Sequence, residues 1–358
     1  MSKAAELANL IGNINAGGGG VNRNLVINGD MSVSQRATSV SSITGAGYKV
    51  LDRHRLGGSV PGTWTWSQST TVPSGQGFGN SLKLDCTATG SAGSMYIQHK
   101  MEGQNLQGFA KGTSDAKPFA LSFWVRSNKT GTYIAQLLDN DNTRHVSKSY
   151  TISSANTWEH KKITFPADTT GAFDNDNDKS LEIYLWLSAD SNNSDGTLAT
   201  TWASVTAANN AVGQVNLADS IDNEWYLTGL QLEIGQNPTS FEHESFETTR
   251  QKCLRYFEKK LHRSGQYIAV GFAYTTTSGR YSLDYESIKR ANPDVTFSGN
   301  ISIYKNGNDN AAISPSSDQP GDITSRINID LSSESMTAGT AFGVHADSEF
   351  SYLIDAEL

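Results

Sequence analysis

The organisation of this chain is decided by the stretch Trp225–Lys260, which reads WYLTGLQLEIGQNPTSFEHESFETTRQKCLRYFEKK. Its first ten residues alternate between two faces, which is the pattern of a β-strand because successive side chains point to opposite sides. The apolar residues Leu230, Leu232 and Ile234 share one face, so we expect all three to face a core. The stretch therefore begins as a strand of a β-domain that precedes it.

A turn and a helix are predicted to follow this strand. Gly235 and Pro238 end it, because proline has no N–H to donate to a ladder. Ser245 can then cap a helix, and Glu247 suits the positive end of the helix dipole. Apolar residues recur on one helical face, namely Phe246, Cys253, Leu254, Phe257 and Leu261. We therefore predict a connecting helix over residues 245–263, which leads to a second, smaller β-domain.

This strand, turn and helix resemble a recurring segment of tailed-bacteriophage fibre and virion structural proteins. The resemblance rests on GLQLEIG, PTSFE and CLRYFEK, where the usual form reads roughly QLE.G..AT.FE followed by CQRYY. Leu254 stands where the family often has glutamine, and Phe257 where it often has tyrosine, and both departures keep an apolar helix position. The resemblance implies a structural protein of a virion, made in the host cytoplasm.

Residues 22–244 are predicted to form one β-sandwich. Its clearest strands lie in AKPFALSFWVRSNKTGTY (Ala116–Tyr133) and SLEIYLWLSA (Ser180–Ala189), where apolar residues alternate with others. The alternation predicts one buried face on each strand. Tryptophans within apolar strands are assigned to the core, and these are Trp124, Trp158, Trp186 and Trp225.

The beginning of this sandwich also resembles a known domain. NLVINGDMSVSQR (Asn24–Arg36) is similar to the opening of the carbohydrate-binding-module-like jelly rolls of phage virion proteins. Ser34 stands where that family usually has tryptophan. The resemblance implies a jelly-roll sandwich whose long polar loops carry the variable function.

The two ends of the chain are predicted to have separate roles. In residues 1–21, a helix precedes a tether of four glycines. Leu7, Leu10, Ile11 and Ile14 share one helical face, and the spacing of Leu7, Leu10 and Ile14 is that of a minimal coiled-coil seam. A helix this short is marginal alone, so it needs its own copies, a docking surface or its own domain as a partner. The resemblance implies a virion anchor and, as is typical of fibre proteins, a homotrimer.

The remaining residues, 264–358, are predicted to form a smaller C-terminal β-sandwich domain. SIKRANPDVTFSG and the final FSYLIDAEL resemble the corresponding segments of the same phage proteins. From Ser264 onward there are five Lys or Arg and twelve Asp or Glu residues, so most of the net charge of −8 lies in this part. An acidic surface argues against nucleic-acid binding, which needs positive charge against phosphate.

The composition as a whole indicates a mainly β protein. Glycine, serine, threonine and asparagine are abundant, as in sandwiches with many loops. No stretch has the length and apolarity of a membrane span, so we expect no membrane insertion. The two cysteines, Cys86 and Cys253, are expected to be buried free thiols.

The sequence predicts no catalytic site and hence no enzyme. The seven histidines lack the spacing of a zinc site, and the Gly-x-Ser-x-Gly elbow of hydrolases is missing. Glycan hydrolysis requires two carboxylates about 5–9 Å apart. Candidate pairs such as Asp139 and Asp141 lie in polar loops, where solvation explains them. A glycan-degrading enzyme is therefore the less favoured alternative.

Sugar binding is the most specific chemistry that the sequence offers. Aromatic faces stack on sugar rings, and polar side chains satisfy the hydroxyls. Trp64 and Trp66 share one strand face because they are two residues apart, and Trp202 lies in a polar loop. These three are the candidate carbohydrate-binding residues, with packing in the core as the alternative.

A structural calcium ion is the one cofactor for which the sequence offers ligands. Asp174, Asp176 and Asp178 alternate in one loop, and calcium takes oxygen ligands. Lys179 and Leu185 stand where an EF-hand would need glycine and glutamate, so a solvated loop is the alternative.

Together these patterns predict a non-enzymatic, fibre-type virion protein. It is expected to be anchored through its N-terminal segment to other virion proteins and to adhere to host-surface glycans through its sandwich loops. A capsid decoration or head-fibre protein without receptor binding is the alternative.

Overall fold

A computed structural model gives the fold of the chain. It describes residues 2–8, 23–305, 308–309, 315–318, 320–331 and 336–358. The chain forms two compact units, Met1–Thr249 with Leu358, and Arg250–Glu357. Within the described ranges, no helix has the length and apolarity needed to cross a membrane.

The first unit is a sandwich of antiparallel sheets. Its strands are β1 (Ser39–Ile43), β2 (His54–Gly58), β3 (Thr63–Ser69), β4 (Ser81–Ala88), β5 (Met95–Glu102), β6 (Phe119–Ser127), β7 (Gly131–Asp139), β8 (Arg144–Ile152), β9 (Glu159–Phe165), β10 (Lys179–Ser188), β11 (Ala203–Ser204) and β12 (Glu224–Ile234). One sheet has the order β1-β3-β4-β12-β6-β9, and the other β11-β8-β7-β10-β5-β2. The predicted β-sandwich is confirmed.

Helices are few among the described residues. Residues 3–8 form α1, and the others are α2 (Ser191–Ser194) and α3 (Phe246–Leu254). Short 3-10 turns lie at Gly103–Asn105, Gln107–Phe109, Ala207–Asn209 and Leu217–Asp219.

The alternation seen in the sequence determines which side chains enter the core. Leu230 and Leu232 of β12 are buried, and Ile234 packs against the same core while partly exposed. The inward residues of β6 and β10 are buried too, and they are Phe119, Leu121, Phe123, Val125, Leu181, Ile183, Leu185 and Leu187. The predicted faces of β6 and β10 are therefore confirmed. In β12 the prediction holds only after Gly229, because the irregularity between Thr228 and Gln231 reverses the alternation and Trp225 and Leu227 enter the same core.

The connecting helix is shorter than predicted. Helix α3 ends at Leu254, and the second half of the predicted segment is strand β13 (Phe257–His262). All six residues of β13 pair with strand β22 (Phe350–Asp355), from Phe257 opposite Asp355 to His262 opposite Phe350. Sheet pairing thus overrides the local helical pattern, and Leu261 is 48% exposed instead of lying on a buried helix face.

The second unit is also built from two antiparallel sheets. Its other strands are β14 (Tyr267–Ala273), β15 (Ser278–Asp284), β16 (Asp294–Ser298), β17 (Ile301–Lys305), β18 (Asn308–Asp309), β19 (Pro315–Asp318), β20 (Thr324–Asp330) and β21 (Ala341–Ala346). The small sheet has the order β13-β22-β16, and the large one β18-β17-β21-β14-β15-β20-β19. Residues from both sheets share one core, in which the hydroxyls of Tyr281 and Tyr352 are hydrogen-bonded at 2.8 Å.

The two cysteines are both buried and neither forms a disulfide, as predicted. Cys86 lies in the core of the first unit, where burial raises the pKa of its thiol. A raised pKa lowers the thiolate fraction, so packing explains this residue better than reactivity.

Candidate functional site

An aromatic cleft opens on the outer face of the sheet that contains β6, β9 and β12. Trp124 is half-buried there, with His160 opposite it on β9 and Thr228 opposite it on β12. The Trp124 and His160 rings are stacked, with centroids 4.8 Å apart and planes 14° apart. Together they form one flat wall of what we call the Trp124 cleft.

A second group of rings forms the opposite wall of this cleft. Phe78, Phe241 and His243 contact one another with centroid separations of 4.9–5.0 Å. Phe78 is 8% exposed, whereas His243 is exposed. Phe78 therefore serves as the base on which the other two rings rest.

Gly229 allows the two walls to approach each other. It sits at an irregularity in the pairing of β12 and has a φ of 62°, which favours glycine. A Cβ at this position would lie 2.6 Å from Cζ of Phe78 and 3.2 Å from Cδ1 of Trp124. The bulge thus creates space that a larger residue would fill.

The cleft has a volume of about 330 Å³ and a mixed lining. Its polar side chains are Gln76, Lys162, Ser240 and, from α1, Glu6. Desolvation and the nearby charge of Lys162 lower the pKa of His160 to about 4. The ring stacked on Trp124 is therefore neutral at physiological pH and presents a hydrogen-bonding edge without a charge.

This arrangement suits binding better than catalysis. Aromatic walls with a few amide, hydroxyl and ammonium groups match a ligand that is apolar on its faces and polar at its edges. Glu6 is the one carboxylate among the described residues that line the cleft. The paired carboxylates of a glycosidase are therefore not gathered by these residues.

The alternation of residues along β6 already indicates that the Trp124 side chain points away from the core. It lies on the face of β6 opposite to the buried Phe119 and Phe123. Its assignment to the core is wrong, because an outward position on a strand next to a bulge leaves the ring half-exposed. By contrast, Trp186 and Trp225 are buried as predicted. The core assignment of Trp158 is wrong as well, because Trp158 precedes β9 and is half-buried, with its ring against Tyr226.

The sugar-binding role predicted for Trp64 and Trp66 is contradicted by their burial. They share one strand face, as expected, but that face points into the core and both rings are 0% exposed. The Trp64 indole N–H donates to the carbonyl of Pro61 at 2.7 Å. Neither ring has a surface left for a sugar.

Trp202 is also enclosed by protein. It is 9% exposed, its ring lies 5.6 Å from that of Phe119, and its indole N–H donates to the carbonyl of Pro166. The loop that carries Trp202 therefore folds back onto the core. Its predicted contact with sugar is replaced by packing.

The predicted calcium ligands do not come together as a metal site. Asp174, Asp176 and Asp178 are exposed, and the loop is held through its backbone, since the carbonyls of Asp176 and Asp178 accept from Gln104 and Gly103. Across the part of the chain that the structure describes, no cluster of three or more His, Cys, Asp or Glu side chains could hold a metal ion.

A lysine supplies a buried cation in this region of the fold. The ammonium of Lys111 lies 2.5 Å from Asp139 and 3.1 Å from Asp168, and it donates to the carbonyls of Thr170 and Gly171. These oxygens are the kind of partner that a hard metal ion takes. Asp139 is thus a structural partner of Lys111 and not half of an exposed catalytic pair.

A further aromatic surface lies on the other sheet of the first unit. The rings of Tyr96 and Tyr184 are stacked at 4.2 Å and 7°, and Tyr96 also contacts Trp186. Gln98 donates to the Tyr184 hydroxyl and accepts from Arg55. Because the two tyrosine faces cover each other, this surface offers less ring area to a ligand than the Trp124 cleft.

The predicted anchor falls mostly outside the described residues. Leu7 is in α1 and is 57% exposed. Leu10, Ile11 and Ile14, together with the glycine tether, lie outside the described ranges.

Comparison with known proteins gives similarity only at the level of three-dimensional structure. No protein-family model and no curated protein matches the chain. Among solved structures, the chain is similar to the enzymatically active domain of tailspike protein 4 from bacteriophage CBA120, with 16% identity and a TM-score of 0.32. That match covers 59% of this chain and 21% of the tailspike chain.

Carbohydrate-binding modules are also among the similar structures. The family 11 module from Clostridium thermocellum, solved with a mixed-linked tetrasaccharide, has 14% identity and a TM-score of 0.26, and the match covers 57% of this chain and 98% of that one. TmCBM61 in complex with β-1,4-galactotriose has 9% identity and a TM-score of 0.30, over 60% and 99%. At these low similarities, function is inferred from the cleft itself.

Proposed function

We propose that the chain is a non-enzymatic, fibre-type structural protein of a tailed-phage virion, and that it binds a host-surface glycan in the Trp124 cleft. Glycan binding is supported by the stacked rings of Trp124 and His160. They face a second aromatic wall across a space of about 330 Å³. The virion role is supported by the sequence resemblance, which runs along the whole chain.

The chemistry of the cleft favours a neutral or weakly charged sugar. A pyranose places its C–H groups against an aromatic face and its hydroxyls at the edge. Gln76 and Ser240 can donate to and accept from such hydroxyls, while Lys162 donates. Because His160 is neutral, it presents both a donor and an acceptor nitrogen.

Two other functions compete with this proposal. A capsid decoration or head-fibre protein would use the same sandwich without a receptor, and in that case the cleft would bind no glycan. A glycan-degrading enzyme would require a carboxylate pair, and the cleft lining offers Glu6 alone among the described residues. The arrangement of the cleft therefore favours adhesion over hydrolysis.

The test of glycan binding is a screen of the purified chain on bacterial surface polysaccharides, followed by titration of each hit. Trp124→Ala should weaken binding by roughly thirtyfold, because a central aromatic contact is typically worth about 2 kcal/mol. Trp158→Ala is the matched control, since Trp158 is also half-buried but lies against Tyr226 outside the cleft. Equal binding by wild type and Trp124→Ala would contradict the proposal, and a shortened glycan product would favour the enzyme.

Assembly and anchoring require a separate experiment. We expect the chain to be a homotrimer that attaches to other virion proteins through residues 1–21. The mass in solution should fall to that of a monomer when residues 2–21 are removed. A trimer that survives the truncation would place assembly in the β-units, and a monomer in both forms would favour the decoration protein. Removing α1 also tests whether Glu6 contributes to glycan affinity.

A further inference from the structure

The large sheet of the second unit exposes an apolar strip on its outer face. Along β14 and just after it, Val270, Phe272 and Tyr274 are 78%, 49% and 52% exposed. The intervening Gly271 and Ala273 are buried. Alternate apolar residues that face solvent in this way mark an interaction surface.

Arg280 of β15 stands beside this strip in a fixed position. It pairs with Phe272 across the sheet, and its guanidinium carbon lies 3.5 Å from the centroid of the Tyr274 ring. Its Nε donates to Oδ1 of Asn328 at 3.2 Å. Its two Nη groups make no hydrogen bond to any residue that the structure describes. The stacked arginine therefore presents an open, pre-oriented pair of donors.

The neighbouring arginine is neutralised and supplies a contrast. Arg326 of β20 pairs with Asp318 of β19 through two hydrogen bonds, one from Nε at 2.5 Å and one from Nη2. This bidentate pair holds the pKa of Asp318 down at about 2. Arg280 forms no such hydrogen-bonded pair with a carboxylate among the described residues, although its charge also helps to lower the pKa of Asp318.

These residues line a groove of about 580 Å³, which we call the Arg280 groove. Ser282 and Thr324 contribute hydroxyl groups to its lining. The volume lies within the range of about 300–1,000 Å³ that is typical of ligand sites. An aromatic strip, an open guanidinium and flanking hydroxyls therefore meet in one place.

We propose that the Arg280 groove binds an acidic saccharide. The ligand carboxylate accepts two hydrogen bonds from the Nη groups of Arg280, because guanidinium and carboxylate match as planar forks. The sugar ring lies against Phe272, and its hydroxyls reach Ser282 and Thr324. This site lies in the second unit and is independent of glycan binding in the Trp124 cleft.

Charge complementarity favours this occupant over a second copy of the chain. A copy that packed its apolar strip against the strip formed by Val270, Phe272 and Tyr274 would cover Arg280 without bringing a carboxylate to it. Burying an unpaired charge is unfavourable. A carboxylated sugar removes water from the same aromatic surface and pairs the charge at the same time.

The test titrates the full chain with two acidic probes, oligogalacturonate and oligosialic acid, each beside its fully methyl-esterified form. We expect the acids to bind at least about tenfold more tightly than the esters, because esterification removes the charge and the fork geometry. Arg280→Gln should lose this preference. Arg263→Gln, an exposed arginine in the turn after β13, should retain it.

Several results would overturn the proposal. These are equal affinity for acid and ester, wild-type binding by Arg280→Gln, or no binding of either acid at millimolar concentration. A concentration-dependent dimer that Phe272→Ser abolishes would assign the strip to a second copy. Trp124→Ala should bind the acids as the wild type does. A negative result for the Arg280 groove is therefore distinguishable from a negative result for glycan binding in the Trp124 cleft. Circular dichroism checks that each variant is folded.

Discussion

The Trp124 cleft of the first unit and the Arg280 groove of the second both place aromatic rings on the outer face of a sheet, but they treat those rings differently. In the cleft, Phe78 is 8% exposed and rests beneath Phe241 and His243. In the groove, Val270 is 78% exposed. Segments that cover the sheet thus form part of the cleft, whereas the groove is lined by the surface of the sheet itself.

The Trp124 cleft and the Arg280 groove also differ in charge. In the cleft, the low pKa of His160 removes one charge and leaves Lys162 beside a neutral ring. In the groove, Arg280 stacks on Tyr274 as a permanent cation. We therefore propose a different ligand for each surface, a neutral sugar for the Trp124 cleft and an acidic sugar for the Arg280 groove.

Each unit also buries a lysine, and the difference between the two predicts the largest mutational effect. Lys111 neutralises two carboxylates, Asp139 and Asp168, whereas Lys289 pairs with Glu258 alone at 2.5 Å. Lys111→Met leaves Asp139 buried without a cation and should destabilise the first unit by about 3–5 kcal/mol. Lys289→Met should have a smaller effect, because Lys260 still lies 3.4 Å from Glu258.

Denaturant unfolding measures both effects. All seven tryptophans lie before residue 226, so their fluorescence reports on the first unit, and circular dichroism reports on the whole chain. Lys129→Met is the control, because its pair with Asp219 is partly exposed and should contribute about 0–1 kcal/mol. If Lys111→Met lowers the free energy of unfolding by no more than Lys129→Met does, the buried network contributes little to stability.

Acid should destabilise the first unit through its buried histidines. Burial and nearby Arg53 lower the pKa of His54 to about 4, and burial holds the pKa of His99 well below its usual value. Between about pH 6.5 and 4 the unfolded chain therefore binds more protons, so stability falls as the pH falls. His54 alone should remove about 3 kcal/mol by pH 4.

Unfolding followed by tryptophan fluorescence between about pH 7 and 4 checks this dependence. His54→Gln keeps a side-chain N–H that can donate to the carbonyl of Asn28 but removes the titrating ring. This variant should show a shallower decline. An unchanged slope would mean that other groups dominate the acid response.

Gly229 offers a smaller and more local test of the cleft. Gly229→Ala combines a strained φ of 62° with a contact of 2.6 Å to Phe78, and we expect a loss of about 1–3 kcal/mol together with weaker glycan binding. Gly75→Ala is the matched control, since its φ is 71° but its Cβ would meet no atom within 4 Å. Equal losses of stability in both variants would show that backbone strain alone causes the loss and that the rings of the cleft can shift to make room.

Alternation in the sequence was sufficient to predict most of the fold. The inward faces of β6 and β10, and of β12 on either side of its bulge, follow from residues two apart, but the bulge reverses the alternation within β12. It failed at β13, because the partner strand β22 lies about ninety residues away in sequence and local spacing carries no information about it. Pairing across that distance converts the second half of the predicted helix into a strand.

The candidate site was harder to predict for a related reason. Trp64 and Trp66 stood out because they lie in a polar segment, yet their strand turns them inward. Alternation along β6 places Trp124 on the outward face, but its role in the cleft depends on His160 and Phe78, which are distant in sequence. A bulge at Gly229 brings these rings together, and bulges leave only a weak signal in a single sequence.

The most direct measurement is the response of the tryptophan indole N–H signals to a bound glycan in a two-dimensional NMR spectrum of the ¹⁵N-labelled chain. We expect the Trp124 signal to shift while those of the buried Trp64 and Trp66 stay in place. A shift of Trp186 with Trp124 unchanged would move the site to the Tyr96 and Tyr184 surface. A bound glycan that leaves the Trp124 signal unchanged would contradict glycan binding in the Trp124 cleft.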